Sequence, residues 1–181
     1  MPAVGHLYHH AMHPSDRVTY LREASNVERS HTIPHHGSYS VGKHSFDAVM
    51  LLLALKPDAS LELVKAVLYH DLGERFTGDM PTPAKYADGE LARRLERFEE
   101  RARDFLALGV KLDAEERRWL HAVDKVEFLL WCKDQLALGN MNAASLIGHV
   151  LSVLNHSDLP QVVTEFINSH QWNRHPDTLP S

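Results

Sequence analysis

The stretch YHDLGERFTGDMPTPAKY, residues 69–86, joins two different kinds of sequence. Upstream of it a helix restarts at Ala59-Ser60, and Leu61, Val64, Val67 and Leu68 recur at the 3–4 spacing of an apolar helical stripe. Downstream, Phe76 to Lys85 carries two prolines and one glycine and reads as a loop. The polar pair His70-Asp71 therefore ends an apolar helix. Adjacent helical residues point about 100° apart, so two neighbours reach one ion only where helical geometry loosens, as it does at a helix end.

Working outward, the pattern is helical throughout. Residues 31–40 (HTIPHHGSYS) form a loop, and from Val41 a helix begins with Phe46, Val49, Met50, Leu53 and Ala54 as its expected apolar face. Pro57 ends it, since proline cannot continue a helix. A short helix is expected around Asp16 to Ser25. A charged helix is expected over Gly89 to Leu108, with Leu91, Leu95, Phe98, Ala102 and Phe105 facing inward and Gly109 as its C-cap. Asp113 followed by Glu116 resembles a capping box, opening a helix that runs to about Leu138 and stops at Gly139-Asn140. Two further helices cover about Ala143–Leu154 and Leu159–His170. No repeat and no alternating strand pattern is present. The expected fold is all-α, one compact helical bundle over 1–181, with a His-containing N-terminal segment (1–28), a central core (29–140) and C-terminal helices (141–181).

Composition bounds the function. A chain of 181 residues with 44% apolar and 24% charged residues suits one soluble domain. The longest unbroken apolar run, Ala48 to Leu55, is eight residues, against about 20 for a membrane span. Met1 to Arg17 holds no apolar signal segment, and Cys132 is the lone cysteine, so a reducing cytoplasm is expected. The net charge is 19 − 24 = −5 with no basic run, which disfavours a nucleic-acid polymer as partner. The 14 histidines prompt a search for a metal site. His6, His9, His10, His13, His35 and His36 read most simply as solvated loop residues. His121, His149, His156, His170 and His175 belong to no recognisable constellation, and Trp119, Phe128, Trp131 and Cys132 read as core.

One polar residue breaks an apolar face. Leu120, Asp124, Phe128 and Trp131 share one side of the helix that opens at Asp113. A lone buried carboxylate costs several kcal/mol unless it is paired or binds a metal. A salt bridge to a core arginine is the plainer of these alternatives. Together, though, His44, His70, Asp71 and Asp124 offer two imidazoles and two carboxylates. That donor set suits Zn, Co, Mn or Fe, and the lack of thiolate argues against a structural zinc site.

His44, His70-Asp71 and Asp124 resemble the H…HD…D signature of HD-domain metal-dependent phosphohydrolases. The block from Tyr69 to Tyr86 is similar to that of bacterial 5′-deoxynucleotidases, as are Val41 to Ser45 (V-x-x-H-S) and Leu136 to Asn140. The resemblance covers about Arg29 to Asn140. Arg29, His31, Thr32 and Pro34, with Arg29 15 residues before His44, look more like the small phage dATP triphosphohydrolases of the same type.

The resemblance implies a divalent transition metal on His44, His70, Asp71 and Asp124, and allows a second divalent ion with the substrate phosphates. It implies Glu74 as proton-handling residue with Asp79 as a second candidate, and Arg29 and Lys85 as phosphate ligands. The implied reaction is hydrolysis of a deoxynucleotide at the α-phosphorus: dATP to deoxynucleoside and triphosphate, or a dNMP to deoxynucleoside and phosphate. A non-catalytic nucleotide-binding regulator is the further alternative. Family members assemble as dimers or hexamers, so a homo-oligomer is expected. Where the family commonly has Trp after the arginine, this chain has Ser30; His31, Ile33, Tyr39 or a residue of another subunit are the candidates to replace its contact with base or sugar.

Overall fold

The computed structural model describes residues 12–106 and 108–172, and His6, His9, His10 and His175 lie outside them. The fold is all-α. Its helices are α1 (Pro14–Ser25), α2 (Val41–Leu55), α3 (Leu61–Tyr69), α4 (Thr82–Ala87), α5 (Gly89–Phe105), α6 (Ala114–Ala137), α7 (Ala143–Asn155) and α8 (Gln161–Ser169), with a 3-10 turn at Leu72–Arg75 between α3 and α4. The sole β feature among the described residues is an isolated antiparallel bridge, Glu28 to Ser40. Among those residues, no helix is long and apolar enough to cross a membrane.

Local chemistry accounts for most boundaries. The hydroxyls of Ser40 and Ser60 accept the amides of Lys43 and Leu63, capping α2 and α3. Asp113 and Glu116 form the reciprocal capping box expected for α6. Gly139, just past α6, takes φ +88°, a left-handed conformation that glycine adopts without steric cost.

Helix α6 is the axis of the molecule. It packs on α2, α3 and α7. Leu52 and Leu63 meet Val123, Val126 and Leu129 of α6, and Ile147 and Leu154 of α7 close the other side. Tyr39 lies flat on Trp131, ring centroids 4.4 Å apart at 13°, which pins the loop before α2 to the end of α6. A smaller cluster of Ala24, Val41, Leu72, Leu106 and Leu108 joins α1, the 3-10 turn and the segment after α5. Arg75 bonds Glu23 at 2.7 Å and stacks over Tyr20 at 3.7 Å, tying that turn to α1.

Four expectations are corrected. The buried face of α2 is Val41, His44, Ser45, Ala48 and Leu52, while Phe46 (60% exposed), Met50 and Leu53 face outward. Nearly every residue from Ala48 to Leu55 is apolar, so periodicity cannot select a face there, and two polar residues mark the inside. On α3, Leu63, Ala66 and Val67 are buried while Leu61 and Leu68 are exposed. The stretch 76–85 is not all loop: Pro81 and Pro83 sit at the start of α4, where a missing N–H costs nothing. Helix α5 ends at Phe105 with Leu106 as its cap, three residues before Gly109.

Gly42 makes the closest backbone approach between α1 and α2. A Cβ there would lie 2.9 Å from Ser25 Cβ and 3.0 Å from its carbonyl oxygen. Gly42→Ala is expected to destabilise the protein by about 1–3 kcal/mol through overpacking, measured by urea unfolding; an unchanged midpoint would show that α1 yields freely.

Candidate metal centre

Three segments deliver the four residues. His44 comes from the first turn of α2, His70 and Asp71 from the end of α3, and Asp124 from the middle of α6. One ligand atom from each lies within 4.8 Å of all the others. His44 Nε2 is 3.2 Å from His70 Nε2, 3.2 Å from Asp124 Oδ1 and 3.6 Å from Asp71 Oδ2. His70 Nε2 is 3.2 Å from Asp71 Oδ2. His44 is fully buried.

The protonation pattern fits a cation. His70 Nδ1 lies 2.8 Å from the Val67 carbonyl, which can only accept, so Nδ1 carries the proton. His44 Nδ1 contacts the Glu127 carboxylate and is the donor there for the same reason. In the neutral rings both Nε2 lone pairs then point at each other and at two carboxylate oxygens. A divalent ion satisfies all four, with the N/O chemistry such ions favour. Without an ion, protons must serve. Burial works to lower the His70 pKa, but Asp71 and Asp124 hold it well above its ordinary value. His44 is raised too, its burial outweighed by Asp124 and Glu127.

Other residues frame the group. Arg29 is buried, pairs with Asp71 and comes within 4.0 Å of Glu74. It does not pair with its neighbour Glu28, which instead receives Tyr39 N–H at 2.8 Å and Ser38 O–H at 2.9 Å. Lys125 Nζ holds the outer oxygen of Asp124 at 2.9 Å. Glu74 sits in the 3-10 turn, 3% exposed, and its Oε2 lacks a hydrogen-bond partner. Burial and the nearby Asp71 charge push its carboxyl up to about 9. Lys85, on α4, faces Glu74 and Glu99 electrostatically.

The segment around Arg29 is held by several tethers. Asp79 Oδ2 accepts the Ser30 amide at 2.8 Å, with Ser30 at φ +54°. The Gln135 side chain pairs with both backbone groups of His36, at 2.8 and 2.9 Å. Asn140 reaches the Pro34 carbonyl at 2.8 Å. His31 is exposed and Ile33 half-buried, whereas Tyr39 is fully buried against Trp131 and so is withdrawn from any stacking role with substrate. A cleft of about 510 Å³ borders His70, with Tyr69, Leu108 and Leu120 as apolar walls and Arg103 and Arg117 among its charges. Arg103 also bonds the His70 carbonyl at 2.7 Å.

The sequence reading did not single out Glu127, Lys125, Arg103 or Gln135. For Glu127 a signal existed, its place one turn past Asp124 on the same helix. For the other three nothing local distinguishes them from solvated helix residues.

A family model described as YfbR-like 5′-deoxynucleotidase matches residues 17–112. The chain thus belongs to the YfbR-like 5′-deoxynucleotidase family and is a hydrolase. A 5′-deoxynucleotidase of Pectobacterium atrosepticum is 27% identical over 157 residues, 72% of this chain and 79% of that one. The Escherichia coli 5′-deoxynucleotidase YfbR is 28% identical over 125 residues, 56% and 63% of the two chains. Among solved structures, an HD-domain phosphohydrolase from Listeria innocua superposes with TM-score 0.70 at 22% identity, covering 87% of each chain. The cyanophage S-2L HD phosphohydrolase DatZ, bound to dA and one catalytic Zn²⁺ ion, superposes with TM-score 0.64 at 20% identity, covering 85% of this chain and 91% of its own.

Protons and metal compete for the same nitrogens, which sets a pH dependence. The raised histidine pKa values stabilise the metal-free fold below about pH 6.5, and this contribution is lost as pH rises through the folded-state values. The gain in melting temperature from added Zn²⁺ is therefore expected to be larger at pH 8 than at pH 6, where protons occupy the site. Saturation at 100 times Kd corresponds to about 2.7 kcal/mol. Scanning calorimetry at the two pH values checks this, and an equal gain at both would contradict it.

Proposed function

We propose that the protein hydrolyses 2′-deoxynucleotides at the α-phosphorus, with dATP as the preferred substrate and deoxyadenosine and triphosphate as products. The observation that carries the hydrolytic reading is the meeting of His44, His70, Asp71 and Asp124 beside a buried glutamate without a hydrogen-bond partner on Oε2. A divalent ion held by those four residues supplies Lewis acidity, activating water and polarising a phosphoryl oxygen.

The chain's own groups do the rest. The bond that forms joins the water oxygen to the α-phosphorus; the bond that breaks joins that phosphorus to the 5′-oxygen. Glu74, whose carboxyl is pushed up by burial and the nearby Asp71 charge in the metal-free protein, is placed to hand a proton to the departing 5′-oxygen. Arg29 and Lys85 neutralise phosphate oxygens, and the planar fork of Arg29 suits two of them at once. One proton of the attacking water restores that of Glu74, through solvent or Asp79, and the other stays on the triphosphate or passes to solvent.

Support for dATP comes from the Arg29-x-His31-Thr32-x-Pro34 pattern and from the likeness to the cyanophage enzyme bound to dA. A second reading, a 5′-deoxynucleotidase acting on dNMPs, is favoured by the family itself and by its curated relatives. Incubation with each dNTP, NTP and dNMP in the presence of Mn²⁺, Co²⁺ or Zn²⁺, followed by chromatography, separates the two. Deoxyadenosine plus triphosphate from dATP is the expected result. Phosphate from dNMPs with dNTPs untouched would replace it by the second reading, and no turnover of any substrate would leave a nucleotide-binding regulator.

Glu74→Gln is expected to lower kcat by about 10²- to 10⁴-fold while the bound metal, measured by atomic emission, stays at the wild-type level. Intact turnover in that variant would remove Glu74 from the reaction.

A further inference from the structure

Glu127 is a buried carboxylate outside the four-ligand group. It lies on α6 one turn past Asp124 and is 4% exposed. Among the described residues no lysine or arginine pairs with it. Its Oε2 is shared by two partners instead. Tyr39 Oη donates to it at 2.6 Å, and His44 Nδ1 contacts the same oxygen. Tyr39 Oη is itself 3.2 Å from His44 Nδ1, so the three groups close a triangle.

A carboxylate buried without a cation costs several kcal/mol unless its oxygens are satisfied. Here the satisfying groups belong to a candidate ligand histidine and to a fully buried tyrosine. Its ring is clamped on Trp131 and faces Phe128 at 6.4 Å. With the tyrosine fixed, the carboxylate rotamer is fixed, and with it the plane of the His44 ring.

We propose that Glu127 is the positioning residue of the metal centre: held by Tyr39, it keeps the His44 proton on Nδ1 and so presents Nε2 to the ion as an aimed and strengthened donor. This rests on the reading of His44, His70, Asp71 and Asp124 as a metal site. Carboxylates that accept from the outer nitrogen of a ligand imidazole typically govern metal affinity by about 10- to 100-fold. Helix α6 would then act on the ion twice, directly through Asp124 and indirectly through Glu127 and His44.

The test is a Zn²⁺ titration of the metal-free full chain against a chromophoric chelator, with the visible spectrum of the Co²⁺ form as a second readout. Glu127→Gln is expected to weaken Zn²⁺ binding by about 10- to 100-fold and to shift the Co²⁺ bands, while circular dichroism of the metal-free protein is unchanged. Tyr39→Phe is expected to move affinity in the same direction by less. On a His44→Ala background, Glu127→Gln is expected to cost nothing further, because the interaction it serves is already gone. Wild-type Zn²⁺ affinity in Glu127→Gln, or an undiminished loss on the His44→Ala background, would overturn the proposal. If Glu127→Gln does not fold, Tyr39→Phe decides, and unchanged affinity there overturns it. Failure of the underlying reading looks different: His70→Ala and Asp124→Ala would then bind Zn²⁺ as the wild type does.

Discussion

Two imidazole nitrogens with their lone pairs facing each other 3.2 Å apart, flanked by two carboxylate oxygens, are an arrangement no helical bundle adopts without reason. Each pair repels or demands a proton, and His44 is fully buried from water. The rest of the molecule is arranged around that demand. Helices α2, α3 and α6 meet where their polar residues meet, and α2 turns its exposed apolar residues outward so that His44 and Ser45 face in. A divalent ion bound there would turn this unfavourable contact into one that ties three helices together.

The surrounding side chains converge on the same point. The end of α3 cannot continue as a helix through His70 and Asp71, because both must reach the same point. The chain tightens into a 3-10 turn, which places Glu74 beside Asp71 and presses Gly73 close to the backbone of Glu99 on α5. Arg29, from a segment 42 residues earlier, closes the open side over Asp71. Arg75, stacked on Tyr20, holds the same turn from outside. A charge-bearing site is thus anchored at its margins by cations that are themselves anchored by aromatic rings.

Much of this was legible in the residues. The prolines, the serine caps and the capping box mark helix ends by their own chemistry, and boundaries of α2, α3 and α6 follow from them. The four ligands stand out because polar residues at Asp124 and at His70-Asp71 break apolar stripes. What was hidden depended on context. The run from Ala48 to Leu55 is apolar all round, so its buried side is chosen by tertiary packing. Helix α4 was masked by prolines that break helices everywhere except at their start. Glu127 sits one turn past Asp124, but its role as a buried partner depends on the approach of Tyr39 from 88 residues earlier. Arg29 and Asp71 are likewise joined by folding and not by spacing.

The Gln135 amide offers its donor and its acceptor to the two backbone groups of His36, much as a neighbouring strand would. One side chain stands in for a sheet edge. The loop before α2 is thereby registered to α6 like a tooth to a gear, and Asn140 adds a second tooth at Pro34. Since Asp124 rides on the same helix, a rotation of α6 would carry the loop and the ligand together. The loop backbone and the Asp124 carboxylate share a single mechanical frame, and their spacing is set once, by the pitch of one helix.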